Sequence, residues 1–408
     1  MSILVSHPSG NANVRQLALG LANAGLLSEV ATGLALRQPP SPRWPAPLRR
    51  ELARRQWPPA VAPLLRPDPG PELLRLLLER QPLLAGTAWP ARLANWHYSL
   101  HDRRLARRVA RRPAARLPRL LYAYEDAAAA SFQAARRRGI TTVLELPTLH
   151  SAMVQRWQAE EAARCPEWRP LLQALQEPAW KLIRKAAELS TADWIVVPST
   201  LVRDSCVEAG LPTEKILVVP YGSPAVSYPQ RPDAQPPVAL YVGRLTPAKG
   251  LDHLLAAWSQ INQPDAELWL VGGCSYPKRW LESLPNTVHW LGSIPHQELT
   301  RIYSQAQLLV LPSLADGYPL VVSEAMAMGL PVLLTDRCGN RDLIKHGLNG
   351  WIAPAADAAA LAAVLAEALA DPHRCRRMGA AAQATVARHT WADYHSSINL
   401  ALQATLKP

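Results

Sequence analysis

Long apolar runs are missing from this 408-residue sequence. Arg, Pro or Asp interrupts every such run well short of the eighteen or so residues that a bilayer-spanning helix needs. Residues 1–5 offer neither a basic flank nor an apolar signal core, and polar His7, Ser9, Asn11 and Asn13 follow at once, so no secretion signal is expected. The five cysteines, Cys165, Cys206, Cys274, Cys338 and Cys375, form no C-x-x-C and no set with histidine at metal-ligand spacing. They read as reduced thiols of a cytoplasmic protein. Asp-x-Asp is also absent, which removes the usual carboxylate pair that holds a divalent ion beside a diphosphate. Neither a metal nor a cofactor is expected.

What is present favours a large folded chain. With 49% apolar and 19% charged residues over 408 positions, the chain exceeds one compact domain and is expected to form two. The net charge of +12 is concentrated, because residues 37–119 carry eighteen Arg against five acids. Arg103, Arg104, Arg107, Arg108, Arg111 and Arg112 recur at helical spacing as one basic ridge that suits reversible contact with an anionic membrane surface. Such a field also attracts nucleic acid. The region lacks the aromatic interleaving of a recognisable nucleic-acid module, so that partner is not expected.

Short β-branched runs alternate with longer Ala- and Leu-rich stretches, the pattern of parallel sheets covered by helices in an α/β fold. A strand at residues 3–5 leads through a small-residue loop into a helix over 14–24, ended by Gly25. Residues 39–118, crowded with Pro and Arg, read as an insertion of helices and irregular linkers. Strands are expected at 120–124, 142–146 and 194–198, and the first domain spans 1–222. A Pro-rich linker over 223–237 opens a second domain, 223–390, with strands at 238–242, 267–271, 288–291, 308–311 and 331–334. Residues 391–408 are expected to pack back across the interdomain cleft.

Ligands of such sheets lie beyond the carboxyl ends of the strands, and there the chemistry gathers. Gly243, Arg244, Lys249 and Gly250 share the loop after 238–242, so that a planar fork and a point charge can converge on one diphosphate. Asp316 and Glu324 bracket the start of a helix. Gly317 between them is expected to adopt a backbone geometry other residues resist, bringing N–H groups to a phosphate or hydroxyl, with Glu324 one turn in to accept from a ribose.

These residues carry a resemblance. Tyr241-Val-Gly-Arg-Leu, Lys249-Gly250, Leu270-Val-Gly-Gly273, Trp290-Leu-Gly292, Val310-Leu-Pro-Ser313, the segment from Asp316 to Glu324, Cys338-Gly-Asn340 and His346-Gly-Leu-Asn-Gly350 occur in the order found in glycosyltransferase family 4. Ala192-Asp-Trp-Ile-Val-Val-Pro-Ser199 and Val218-Val-Pro-Tyr-Gly222 resemble the end of that family's first domain, whereas residues 30–120 match nothing in it. The resemblance implies the GT-B fold, two Rossmann-like doubly wound domains facing a cleft. It implies a retaining, metal-independent hexosyltransferase that takes sugar from a nucleoside-diphosphate sugar to a glycan, exopolysaccharide or lipid-linked acceptor.

By the same resemblance, Arg244 and Lys249 bind the donor diphosphate, Glu324 binds the ribose, and Asp316 binds the transferred sugar. Gly243, Gly317, Tyr318, Pro319 and Leu320 line the donor, Gly10 on the first strand-to-helix loop lies beside it, and His150, after the strand carrying Glu145, stands near the reacting sugar. Members usually have Glu where Asp316 stands and often Gly where Pro319 stands, so the sugar pocket departs from the family pattern. A sugar-nucleotide epimerase of the same architecture is the rival reading. A nucleic-acid-binding protein is a more distant one.

Overall fold

The computed structural model describes residues 2–41, 43–45, 49, 52–79, 89–227 and 236–406. Two all-parallel sheets organise them. The first contains β1 (Ile3–His7), β2 (Leu27–Thr32), β3 (Leu65–Pro67), β4 (Leu120–Tyr124), β5 (Thr141–Glu145), β6 (Trp194–Val197) and β7 (Ile216–Val218), in the order β3-β2-β1-β4-β5-β6-β7. The second contains β8 (Val238–Val242), β9 (Glu267–Val271), β10 (Val288–Gly292), β11 (Leu308–Leu311), β12 (Val332–Thr335) and β13 (Gly350–Ala353), in the order β10-β9-β8-β11-β12-β13. Central strands such as Val238–Val242 and Leu308–Leu311 are buried at every position, as continuous apolar runs require when helices cover both faces of a parallel sheet.

The helices, in chain order, are α1 (Ala12–Asn23), α2 (Pro69–Glu79), α3 (Trp89–Arg111), α4 (Ala129–Arg136), α5 (Ser151–Arg164), α6 (Ala179–Thr191), α7 (Thr200–Glu208), α8 (Leu251–Trp258), α9 (Lys278–Glu282), α10 (His296–Tyr303), α11 (Leu320–Ala327), α12 (Ala358–Ala370), α13 (Pro372–Val386) and α14 (Trp391–Ala404). Short 3-10 turns join several of them. Among the described residues no helix is long and apolar enough to cross a membrane. Residues 228–235 of the expected Pro-rich linker lie outside the described residues.

Four strands fall where no strand is expected: β2, β3, β7 and β13. The first includes Glu29, which stays buried because Arg108 of α3 and Arg112 just beyond it reach the carboxylate, and no local pattern announces that partnership. The last begins at Gly350, where a side chain would meet the backbone oxygen of Val332 at 2.5 Å. The Arg-rich segment is the helix α3, with Leu105 and Val109 buried against the first sheet. Its ridge is split. Arg104 pairs with Asp68 and Arg108 and Arg112 pair with Glu29, while Arg103, Arg107 and Arg111 are exposed.

Helix α4 starts at Ala129 without a capping side chain of its own. Two distant buried carboxylates supply the acceptors: Asp102 takes the N–H groups of Ala130 and Ser131 at 2.7 and 2.9 Å, and Glu188 takes those of Asp126 and Ala128 at 2.7 and 2.9 Å. The last helix, α14, opens with a capping box from Thr390 and Asp393 and crosses back onto α1. His395 meets the Gln16 side chain at 3.1 Å and Asn399 donates to the Gly20 carbonyl, so the chain ends on the domain where it began.

Candidate active site

Strand order reverses between β1 and β4 in the first sheet and between β8 and β11 in the second. Adjacent loops diverge there and leave a crevice at the carboxyl ends. The loops after β8 and β11 carry Arg244 and Lys249, and Asp316, so one topological feature gathers the residues that the sequence places 67 positions apart. Lys249 donates to the Asp316 carboxylate, and Ser313 Oγ lies 3.4 Å from the same oxygen. Arg244 stands exposed on the same loop as Lys249 and forms no ion pair among the described residues. Gly250, which follows Lys249, has φ +71° and lies so close to the Pro312 carbonyl that a Cβ would sit 2.0 Å from its oxygen.

The turn from Asp316 into α11 departs from expectation at Gly317. Asp316 caps no helix, because α11 begins after Pro319 without a side-chain cap. Gly317 has no left-handed backbone; it is required by crowding, since a Cβ there would lie 2.2 Å from the carbonyl oxygen of Pro147 in the first domain. Ser199 Oγ donates to the Gly317 carbonyl at 2.9 Å, and Tyr318 packs edge to face on Tyr221 at 5.6 Å. Tyr221 in turn donates to buried Glu145, which also accepts from Tyr122 at 2.6 Å. Burial raises the Glu145 pKa, while these hydroxyl donors oppose the shift. Glu145 is thus a buried post of the domain junction, not a group facing the cleft.

Glu324 sits in the second turn of α11 and lines a cavity of about 370 Å³ together with Gln16, Gly222, Leu320 and Ser323. The cavity joins the amino ends of α1 and α11 across the cleft. Glu324 accepts from the Tyr303 hydroxyl at 3.2 Å with His296 3.9 Å away. Burial lifts its pKa, and His296 and Tyr303 work against that.

His150, expected near the reacting sugar, stands at the start of α5. Its ring caps α5, Nδ1 accepting from the Ala152 N–H at 3.3 Å, and the His150 backbone N–H donates to Ser205 Oγ. The side chain thereby satisfies an otherwise unpaired N–H of its own helix. A histidine that shapes the cleft, but that residue types alone did not single out, is His7 at the end of β1. Its Nδ1 accepts from the N–H groups of Ser9 and Gly10 at 3.1 and 2.9 Å, and burial pushes its pKa down to about 3, so the ring is neutral. Gly10, with φ +61°, lies under Trp57, whose ring leaves 2.6 Å for a Cβ. The signal for His7 was its place directly after the first strand.

Residues 227–385 match the family model described as Glycosyl transferases group 1. The amylovoran biosynthesis glycosyltransferase AmsK of Erwinia amylovora is 34% identical over 183 residues, covering 41% of this chain and 45% of that protein. A D-inositol 3-phosphate glycosyltransferase of Nocardia farcinica is 29% identical over 243 residues, 53% of each. The chain thus spans about half the length of these relatives. Over 99% of its length it superposes on Anabaena Alr3699/HepE in complex with UDP, covering 100% of that chain, with a TM-score of 0.66 at 17% identity. It superposes likewise on the apo form of the lipopolysaccharide outer core galactosyltransferase WaaB, covering 100% of both chains, with a TM-score of 0.65 at 16% identity. At such identity the likeness is one of fold, the GT-B arrangement of two facing parallel-sheet domains.

Proposed function

We propose, from a C-terminal half that matches the model of glycosyl transferases group 1, that this chain moves a hexose from a nucleoside-diphosphate sugar to a glycan, exopolysaccharide or glycolipid acceptor with retention of configuration. The observation that carries the reading is the meeting of Lys249 and Asp316 at the β8/β11 switch point, with Arg244 exposed beside them. In the free protein the ammonium and the carboxylate neutralise each other. A donor diphosphate draws Lys249 away, leaving Asp316 to accept from hydroxyls of the sugar, while Lys249 and Arg244 stabilise the charge that grows on the departing nucleotide. Fixed cations then do the neutralising that a divalent ion does elsewhere, so neither a metal nor a cofactor is invoked.

Glu324, in its cavity at the hinge, suits the hydroxyls of a ribose. UDP in the complex of Anabaena Alr3699/HepE supports a uridine nucleotide as the first donor to try. On the acceptor side, the exposed row of Arg103, Arg107 and Arg111 is suited to an anionic membrane surface and hence to a lipid-linked acceptor.

Thermal stabilisation across a panel of UDP-, GDP- and ADP-sugars tests the donor, since a ligand at about 100 times its dissociation constant adds roughly 2.7 kcal/mol. A donor-only incubation that converts the sugar nucleotide to its epimer would sink the transferase reading.

A further inference from the structure

A second cavity, of about 260 Å³, opens at the carboxyl ends of β2 and β3 against the middle of α3. Thr32, Arg66, Asp68, His101, Arg104 and Arg108 line it, so three guanidinium groups face one carboxylate. The charge is poorly consumed. Arg104 and Asp68 pair at 2.7 Å, but both are substantially exposed, at 45% and 35%, and such a pair yields readily to a better partner. Arg108 reaches Glu29 only at 3.5 Å, and Glu29 already holds Arg112. Arg66 reaches its neighbour's carbonyl, that of Leu65, at 3.3 Å.

Thr32 supplies an independent observation. It is fully buried on the cavity wall, and among the described residues its hydroxyl has no hydrogen-bond partner. Buried polar atoms are rarely left so, and an oxygen-rich anion in the cavity would accept from it. His101, 5% exposed, is held neutral: its pKa is pushed down to about 3 by burial first, then by His97, His7, Arg108 and Arg104. Helix α3 ties the cavity wall to the first strand-to-helix loop. One turn earlier on α3 the Tyr98 hydroxyl lies 3.3 Å from Ser9 Oγ, on the loop that bears Gly10.

We propose that this cavity is a subsite for a phosphate group carried by the acceptor, gripped by Arg66, Arg104 and Arg108 with Thr32 donating to one of its oxygens. Planar guanidinium forks match phosphate oxygens in pairs, and no Phe, Tyr or Trp lines the wall for a nucleobase to stack on. This rests on the glycosyl-transfer reading, and it narrows the acceptor to a phosphorylated one.

The test is calorimetric titration of the full chain with glycerol 3-phosphate at low salt, with and without saturating UDP on the donor loops. Saturable binding is expected in both conditions. It should weaken at least tenfold in Arg66→Ala/Arg108→Ala and severalfold in Thr32→Val, and persist in Arg103→Ala, which removes an equal charge from outside the cavity. Arg66 lies on the surface, so Arg66→Ala alone reports should the double variant not fold. No binding by the wild type, binding indifferent to Arg66, or equal weakening by Arg103→Ala overturns the subsite. Binding of phosphatidate vesicles through Arg66 and Arg108 with none of glycerol 3-phosphate would transfer the site to a lipid headgroup and overturn the acceptor assignment. Failure of every UDP-, GDP- and ADP-sugar to stabilise the chain would instead strike the transferase reading and leave the UDP-free titration interpretable.

Discussion

Acidification should unfasten the first domain through three buried histidines, His7, His97 and His101. Burial lowers their pKa values from 6.5 to about 3, about 4 and about 3. Each is the base form in the fold. His97 Nε2 is 3.3 Å from the Pro8 carbonyl, His101 Nε2 is 3.1 Å from Ser6 Oγ, and His7 Nδ1 accepts from Ser9 and Gly10. Because the folded values are depressed, the unfolded chain binds protons first, so this stability is complete above pH 6.5 and drains as pH falls towards 3–4. At pH 5 each unfolded histidine gains about 2 kcal/mol from protonation that the folded one forgoes, or about 6 kcal/mol for three. That approaches the whole stability of an ordinary domain. Urea midpoints at pH 7.5 and pH 5.0, compared between the wild type and His97→Gln/His101→Gln, cancel the contribution of every other titrating group. The pH-dependent loss should shrink by about 4 kcal/mol in the variant. Identical pH dependence in the two proteins would refute the reasoning.

Lys249→Ala should lower turnover by about 10²–10³-fold in a donor-plus-acceptor assay, the scale of losing one preorganised charge; near-native rates would remove Lys249 from the site. Gly317→Ala forces a methyl to within 2.2 Å of the Pro147 oxygen, so the junction must open at a cost of about 1–3 kcal/mol, visible as a lower melting temperature. His150→Asn keeps an N-cap acceptor and should leave turnover near native, whereas a collapse of turnover would restore the ring to the reacting sugar. Neutralising Arg103, Arg107 and Arg111 should abolish sedimentation with anionic vesicles and spare UDP binding, and unchanged sedimentation would dismiss the membrane contact.

Much of this molecule is legible before folding. Strands β8 and β11 stand out because buried parallel strands are uninterrupted apolar runs, and the loops that follow them contain Arg244, Lys249 and Asp316 in plain view. Helix α1 is equally plain, with Asn11 as its cap and Gly25, at φ +66°, as its end. Less legible is whatever depends on a remote partner. Glu29 in β2 looks like a solvent residue until α3 brings Arg108 and Arg112 to it, and the Ala-rich start of α4 looks uncapped until Asp102 and Glu188 arrive.

The amino-acid sequence by itself determined two parallel-sheet domains and the chemical types at the mouth of the second, because apolar periodicity and loop composition are local properties. Only the tertiary structure decided which of those groups meet. Lys249 finds Asp316 because β8 and β11 are neighbours whose connections run apart, Gly317 is glycine because Pro147 of the other domain presses on it, and His150 is spent on its own helix. Contacts between residues far apart in the chain follow from packing two domains against each other, and no spacing along the chain encodes them.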